Sequence, residues 1–175
     1  MHLLLYFTLT LMQPLILFTS SPNTSNTTWR VVDDGVMGGK SQGHAKVTEA
    51  GHLHFYGEVS LENNGGFSSV RYDLPKTQNI SGYTKVVMRL KGDGIRFQFR
   101  LKAQANQRYS HIQYFETSGE WEEVQLPLRD FYASFRGRKL DLPNFEADQL
   151  EEITFLIANK KAQDFSLKVA EIRLE

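Results

Sequence analysis

The sequence predicts an all-β protein, a single antiparallel β-sandwich or jelly roll. Three observations support this prediction. Apolar and polar residues alternate from Trp29 onward, and no window of about a dozen residues keeps a 3.6-residue period. The alternating segments recur roughly every 8 to 16 residues, with Gly, Asn, Asp or Pro between them. A chain of 175 residues suits one such domain, and no internal repeat divides it.

The clearest strand is IRFQFRLK, residues 95–102, where apolar residues occupy one face and polar residues the other. A strand of this kind buries one face and exposes the other. Residues 153–158, ITFLIA, are apolar throughout, as a strand covered on both faces would be. Similar alternation predicts strands at residues 52–59, 67–74, 84–91, 109–116 and 120–126.

The last strand, residues 165–175, contains an irregularity. Its alternation slips by one position at Ala170, which predicts a β-bulge. Helical structure is limited to at most one turn each in residues 129–135 and 146–152.

The N-terminus predicts a targeting segment. Residues 1–21 hold an apolar run too short for an ordinary membrane span, which indicates a signal peptide and export, with an uncleaved membrane anchor as the first alternative. A wrongly chosen start is the second alternative. A mitochondrial presequence is not expected, because such segments are rich in arginine. Residues 22–28 read as a polar linker, so the domain is predicted to span residues 29–175.

Composition excludes several kinds of partner. Lys plus Arg and Asp plus Glu number 20 each, so no overall field attracts nucleic acid. Cysteine is absent, which removes disulfides, thiolate nucleophiles and thiolate metal sites. No cofactor-binding motif is found.

No catalytic constellation is visible, so the chain is not predicted to be an enzyme. No serine lies in G-x-S-x-G, and the acidic residues occur at turns rather than as an evident pair across a cleft. His52 and His54 would share one face of a strand, either as metal ligands or, with Leu53 and Phe55 in the core, simply solvated; no metal site is predicted.

Two tryptophans raise the question of sugar binding. Trp29 and Trp121 could form a stacking platform on a sandwich face, but aromatic residues are also favoured in strands and cores. Packing at the edge of the core is the favoured interpretation for Trp121.

Four polar, glycine-bearing clusters exceed what ordinary turns need. They are DDGVMGGKS, ENNGGFSSVR, KGDG and SFRGR, starting at residues 33, 62, 91 and 134. The first ends like a phosphate-binding loop, but Asp34 stands where that loop needs glycine, and a strand-like segment follows. The candidate binding residues are Asp34, Gly35, Met37, Gly38, Gly39, Ser41, Asn63, Asn64, Gly65, Gly66, Phe67, Arg71, Asp93 and Arg136.

Two expectations concern these clusters. Arg71 and Arg136 are expected to pair with carboxylates such as Asp34 or Asp93 and so link loops. Asp34 is alternatively held by local backbone. Met37 either fills the end of the core or faces a partner.

These clusters, together with W-x-x-V-x-L-P at residues 121–127, resemble the complex I intermediate-associated protein 30 family in order and spacing. The resemblance implies a galactose-binding-like jelly roll without catalytic residues or cofactor. It also implies an assembly-factor or chaperone role, in which the mitochondrial member binds partly assembled subunits of complex I and unfolded protein. Gln163 and Asp164 depart from the glycine expected there. An exported carbohydrate- or small-ligand-binding module is the alternative, since export conflicts with assembly inside a mitochondrion.

Overall fold

The computed structural model describes residues 13–21 and 29–175, except for the side chains of Val36 and Met37. In those residues the chain forms two antiparallel sheets joined by loops and short 3₁₀ turns. No helix there reaches the length and apolarity that a membrane crossing requires. The predicted all-β sandwich is confirmed.

The strands follow the chain from near the N-terminus to the end. They are β1 Leu15–Thr19, β2 Trp29–Asp33, β3 Gln42–Val47, β4 Leu53–Val59, β5 Ser68–Asn79, β6 Lys85–Lys91, β7 Arg96–Lys102, β8 Ser110–Glu116, β9 Glu122–Pro127, β10 Tyr132–Phe135, β11 Arg138–Lys139, β12 Gln149–Ile157 and β13 Gln163–Leu174.

Each sheet brings distant segments together. The six-stranded sheet has the order β3-β4-β13-β6-β9, with β1 also paired to β13; the seven-stranded sheet has the order β11-β10-β8-β7-β12-β5-β2. The core lies between the sheets and takes alternate residues of each strand, such as Phe97, Phe99 and Leu101 of β7. The face of the seven-stranded sheet that points away from this core is called the outer face below.

β1 changes the predicted domain boundary. It lies along the same edge of β13 as β4, one strand after the other, with Leu53 opposite Val169 and Thr19 opposite Glu171. Leu17 and Phe18 are buried in the core. The sandwich therefore includes residues that the sequence assigned to the leader, because an apolar segment of this length also suits a covered strand. Residues 1–12 and the predicted linker, 22–28, lie outside the described chain.

Local predictions had mixed outcomes. The bulge predicted at Ala170 is confirmed, since the register between β13 and β6 shifts between Val169 and Glu171. Of the helical turn predicted within residues 129–135, only the end of a 3₁₀ turn at Leu128–Asp130 is present, and β10 begins at Tyr132. A helical turn at 146–152 was wrong: β12 begins at Gln149, where pairing with β5 and β7 outweighs weak local preference.

Candidate functional site

The first two motifs meet around one buried carboxylate. Asp34, only 3 % exposed, directly follows β2. Its Oδ1 accepts the Ser41 backbone N–H at 3.1 Å, and its Oδ2 accepts the Ser41 hydroxyl at 2.6 Å. The backbone N–H groups of Gly66 and Phe67 donate to Oδ2 at 2.6 and 3.2 Å. Asp34 therefore links loop 34–41 to loop 60–67; these two segments are called the motif loops below.

Hydrogen bonding fixes the charge state of Asp34. Burial raises the pKa of this carboxyl, but the hydrogen bonds from Ser41, Gly66 and Phe67 together outweigh burial and leave the pKa below its ordinary value. The carboxylate is therefore ionised at neutral pH and is surrounded by donors from two loops.

Two positions near Asp34 must be glycine because their backbones pass very close to its carboxylate. A Cβ on Gly39 would lie 2.2 Å from Asp34 Oδ1, and one on Gly65 would lie 2.6 Å from Oδ2. Only glycine lets the backbone come this close. The donors that a phosphate-binding loop would offer to an anion are directed here at the protein's own carboxylate.

A second aspartate links β2 to its neighbours. Asp33 Oδ2 accepts the Gly43 N–H at 2.9 Å, and Oδ1 accepts the Ser68 hydroxyl at 2.5 Å. The two adjacent aspartates of DDGVMGGKS therefore both serve the junction between the sheets.

The outside of the motif loops presents mixed chemistry. Leu61 is 46 % exposed. Beside it, Lys40 forms an exposed ion pair with Glu62, and the Asn63 side-chain amide donates to the Gly38 carbonyl at 2.9 Å. Asn63 adopts a positive φ of 54°, a conformation that asparagine tolerates better than most residues. The loops are held from inside and carry an apolar side chain outside.

The structure separates the predicted binding residues into groups. The members of the first two motifs, apart from Arg71, lie in or beside the motif loops. The side chain of Met37, and with it the question of where this residue points, lies outside the described residues. Asp93 accepts the Ser166 N–H at 2.7 Å, and burial raises the pKa of this carboxyl above its ordinary value.

The expected arginine–aspartate pairs were wrong. Within the described chain, neither Arg71 nor Arg136 forms an ion pair with a carboxylate. Arg71 is opposite Thr154 in β5–β12 pairing and lies on the outer face, away from Asp34. Arg136 has a φ of 49° and places its guanidinium 5.4 Å from the centre of the Phe135 ring.

The outer face holds a group of residues that the strand alternation predicted to be exposed to solvent. Gln98 is only 4 % exposed although it points away from the core. Its amide N donates to the Tyr114 hydroxyl at 3.0 Å, and its Oε1 accepts Arg100 Nη2 at 2.7 Å. The alternation of residues 95–102 had already placed Gln98 and Arg100 on one face, which was the available signal.

The two histidines contact neighbouring aromatic rings. Leu53 and Phe55 occupy the core as predicted, and His52 lies edge-on to Trp121 at 4.8 Å. His54 stacks on Tyr56, and its Nε2 is 3.0 Å from the Ser166 hydroxyl. Among residues 13–21 and 29–175, no three His, Cys, Asp or Glu side chains gather closely enough to bind a metal.

The tryptophans do not form one platform. Trp29 is buried and stacks on Tyr72 with ring centres 4.8 Å apart. Trp121 is 38 % exposed on the other sheet. An open depression of about 550 Å³ lies at one end of the sandwich and is lined in part by Tyr83, Leu128 and Phe145.

These features define a class: an antiparallel β-sandwich of two sheets. A family 11 carbohydrate-binding module from the cellulase Lic26A-Cel5E of Clostridium thermocellum matches with a TM-score of 0.66 and 17 % identity, over 94 % of this chain and 95 % of that one. The same type of module in complex with a mixed-linked tetrasaccharide matches at 0.63 and 17 % identity, over 92 % and 94 %. At such identities the likeness shows the fold alone.

The family follows from sequence comparison. The family model of Complex I intermediate-associated protein 30 matches residues 16–169, and the chain belongs to this family. The motif-based resemblance is thereby confirmed, and the match begins inside β1. The mitochondrial Complex I intermediate-associated protein 30 of Mus musculus is 24 % identical in an alignment of 163 residues, and the match covers 81 % of this chain and 50 % of the relative. The chain thus spans about half the length of that relative.

Proposed function

We propose that this chain is a non-catalytic protein-binding module that associates with incompletely assembled complex I subunits, as an assembly factor or chaperone. The observation that carries the proposal is membership of the complex I intermediate-associated protein 30 family over residues 16–169. The relative in mouse is named for its association with complex I intermediates.

The motif loops are the proposed contact surface. Asp34 holds their backbones from inside, so little conformational entropy is lost when a partner binds. Leu61 gives this rigid surface an apolar contact that is 46 % exposed. An apolar side chain that becomes buried when the partner binds, with polar contacts around it, is typical of protein interfaces.

Affinity capture tests this proposal. The tagged chain, expressed in its native host, should recover complex I subunits identified by mass spectrometry. Leu61→Asp should lose them, because a carboxylate cannot be buried in the interface without a partner. Leu142→Asp is the matched control, since Leu142 is 44 % exposed and lies in another loop. Recovery of no complex I subunit by the unaltered chain contradicts the proposal.

The alternative function is an exported module that binds carbohydrate or another small ligand. The fold likeness to carbohydrate-binding modules and the partly exposed Trp121 support it. Binding of a neutral glycan on an array that disappears in Trp121→Ala would support this alternative. A silent array argues against it without affecting the assembly proposal.

Export or membrane anchoring through residues 1–21 is a further proposal, and it has a structural consequence. Cleavage after residue 21 would remove β1 and expose the edge of β13 that β1 covers. N-terminal sequencing of the protein from fractionated native cells tests this: a mature chain starting after residue 21 outside the cytoplasm supports cleaved export. A chain that retains β1 and is found in a soluble internal fraction contradicts export and anchoring.

A further inference from the structure

The outer face places two arginines on either side of a threonine. Thr154 of β12 is opposite Arg71 of β5 on one side and Arg100 of β7 on the other. Neighbouring strands lie about 4.8 Å apart, so the two arginine backbones are about 10 Å apart. Both side chains are long enough to reach the space above Thr154.

Among the described residues, no carboxylate pairs with either arginine. The neighbouring cations on this face are paired: Arg30 with Asp73 at 3.4 Å, and Lys102 with Glu152 at 3.4 Å. In the chain as described, neither Arg71 nor Arg100 forms an ion pair. Two positive charges therefore face the same space, and the carboxylate whose charge favours the charged form of Arg100, that of Glu152, is already paired with Lys102.

Arg100 is held in position by hydrogen bonds. Gln98 Oε1 accepts Arg100 Nε at 3.0 Å and Nη2 at 2.7 Å, while the amide N of Gln98 donates to the Tyr114 hydroxyl. This contact fixes one edge of the guanidinium and leaves Nη1 free to donate elsewhere. A guanidinium fixed in this way loses little side-chain entropy when it binds a ligand.

The arrangement is electrostatically unfavourable without a ligand. Burial, followed by the charge of Arg71, lowers the pKa of Arg100 to about 10. A partly buried cation next to a second cation is unfavourable unless an anion joins them.

Neutral sugar is a poor occupant for this space. The Arg96 guanidinium covers the ring of Tyr114 at 4.6 Å, and the Lys139 ammonium covers the ring of Tyr132 at 5.3 Å. The ring faces that would stack on a sugar are therefore already in contact with cations. The donors available to a ligand are the two guanidiniums, because the Thr154 hydroxyl already donates to Glu152 Oε1 at 3.3 Å.

We propose that the outer face binds a doubly charged phosphate-monoester group between Arg71 and Arg100, above Thr154. Two charges match a dianion, and guanidinium N–H pairs match its oxygens. Glu152, the nearest carboxylate on Thr154's own strand, is already paired with Lys102. This inference concerns a different face from the motif loops and does not depend on the assembly proposal.

Calorimetric titration tests the site at pH 8 and constant ionic strength. Inorganic phosphate should bind saturably, whereas acetate and chloride should bind at least about tenfold more weakly, because a single charge leaves one arginine unpaired. Two further probes identify the source of the group. Tighter binding of glucose 6-phosphate than of phosphate assigns a soluble phosphorylated ligand, and preference for phosphatidic acid vesicles assigns a lipid headgroup.

Variants locate the binding. Arg71→Gln and Arg100→Gln should each weaken phosphate binding about tenfold or more, while Arg30→Gln, at the paired neighbour, should change it less than about twofold. Arg71→Gln should also melt no lower than the unaltered protein without phosphate, since the change removes a like-charge repulsion; this separates lost binding from lost folding. Absence of saturable phosphate binding overturns the proposal, and so does equal loss in all three variants.

Discussion

Replacement of Asp34 by asparagine measures how strongly one carboxylate holds the two motif loops together. The carboxylate accepts four hydrogen bonds, one at Oδ1 and three at Oδ2. Asparagine keeps one acceptor oxygen, so its amide N must face either the Ser41 N–H or the three donors on the other side. If the oxygen faces the three donors, the amide NH₂ faces the buried Ser41 N–H, and both groups are donors.

The expected cost follows from these contacts. A buried donor left unsatisfied costs about 1–3 kcal/mol. The three remaining hydrogen bonds lose their charge assistance, at about 0.5 kcal/mol each. Asp34→Asn should therefore lower the free energy of unfolding by about 3 kcal/mol, and Tm by about 6–12 °C for a chain of this size.

Urea denaturation followed by tryptophan fluorescence gives the free energy of unfolding. Asp141→Asn is the matched control, because Asp141 is exposed in a distant loop, and it should stay within about 0.5 kcal/mol of the unaltered protein. If Asp34→Asn also stays within that range, Asp34 does not hold the motif loops and the reasoning fails.

Three further predictions test the same structure. In the folded protein the pKa of Asp34 lies below its ordinary value of 3.8. The contribution of Asp34 to the free energy of unfolding is therefore complete above the pKa of the unfolded chain, and it is lost as pH falls through the pKa of the folded protein. The difference in free energy of unfolding between the unaltered protein and Asp34→Asn should narrow below about pH 4 in urea titrations. Gly39→Ala should lower the free energy of unfolding by about 2 kcal/mol or more, since its Cβ meets Asp34, whereas Gly35→Ala, with nothing within 4 Å, should change it by less than about 0.5 kcal/mol. A chain starting at residue 22 should be at least about 3 kcal/mol less stable than one starting at residue 13, because β1 buries two large apolar side chains; equal melting curves would contradict this role of β1.

The fold was predictable because strand alternation is a strong local signal. Residues 95–102 placed their apolar side chains in the core as their period required. β1 was not recognised, because a short apolar run has the same composition in a signal peptide and in a covered strand, and only pairing with β13 distinguishes them. β10 was missed for a related reason: four residues are too few to show a period.

The site was predictable in part. Motif composition identified the two loops that meet, but the number of donors reaching Asp34 depends on contacts between residues more than 30 positions apart. The expected ion pair between Arg71 and Asp34 was wrong, although the alternation of residues 67–74 already indicated the face on which Arg71 lies. Val70 and Tyr72 point inward, so Arg71 must point to the outer face.

The second motif, ENNGGFSSVR, therefore contributes to both proposed surfaces. Its Gly66 and Phe67 donate to Asp34, and its last residue, Arg71, lies five positions beyond Gly66 on the outer face. Since β5 starts at Ser68, directly after the residues that Asp34 holds, loosening them should disturb the alignment of β5. Asp34→Asn should thus weaken phosphate binding about twofold to fivefold in the unaltered background and not at all in Arg71→Gln, where the cation is already absent. Additive losses in this double-mutant cycle, measured by calorimetric titration, would show that Asp34 affects phosphate binding by a route other than Arg71. No loss for Asp34→Asn alone would show that the motif loops and the outer face act independently.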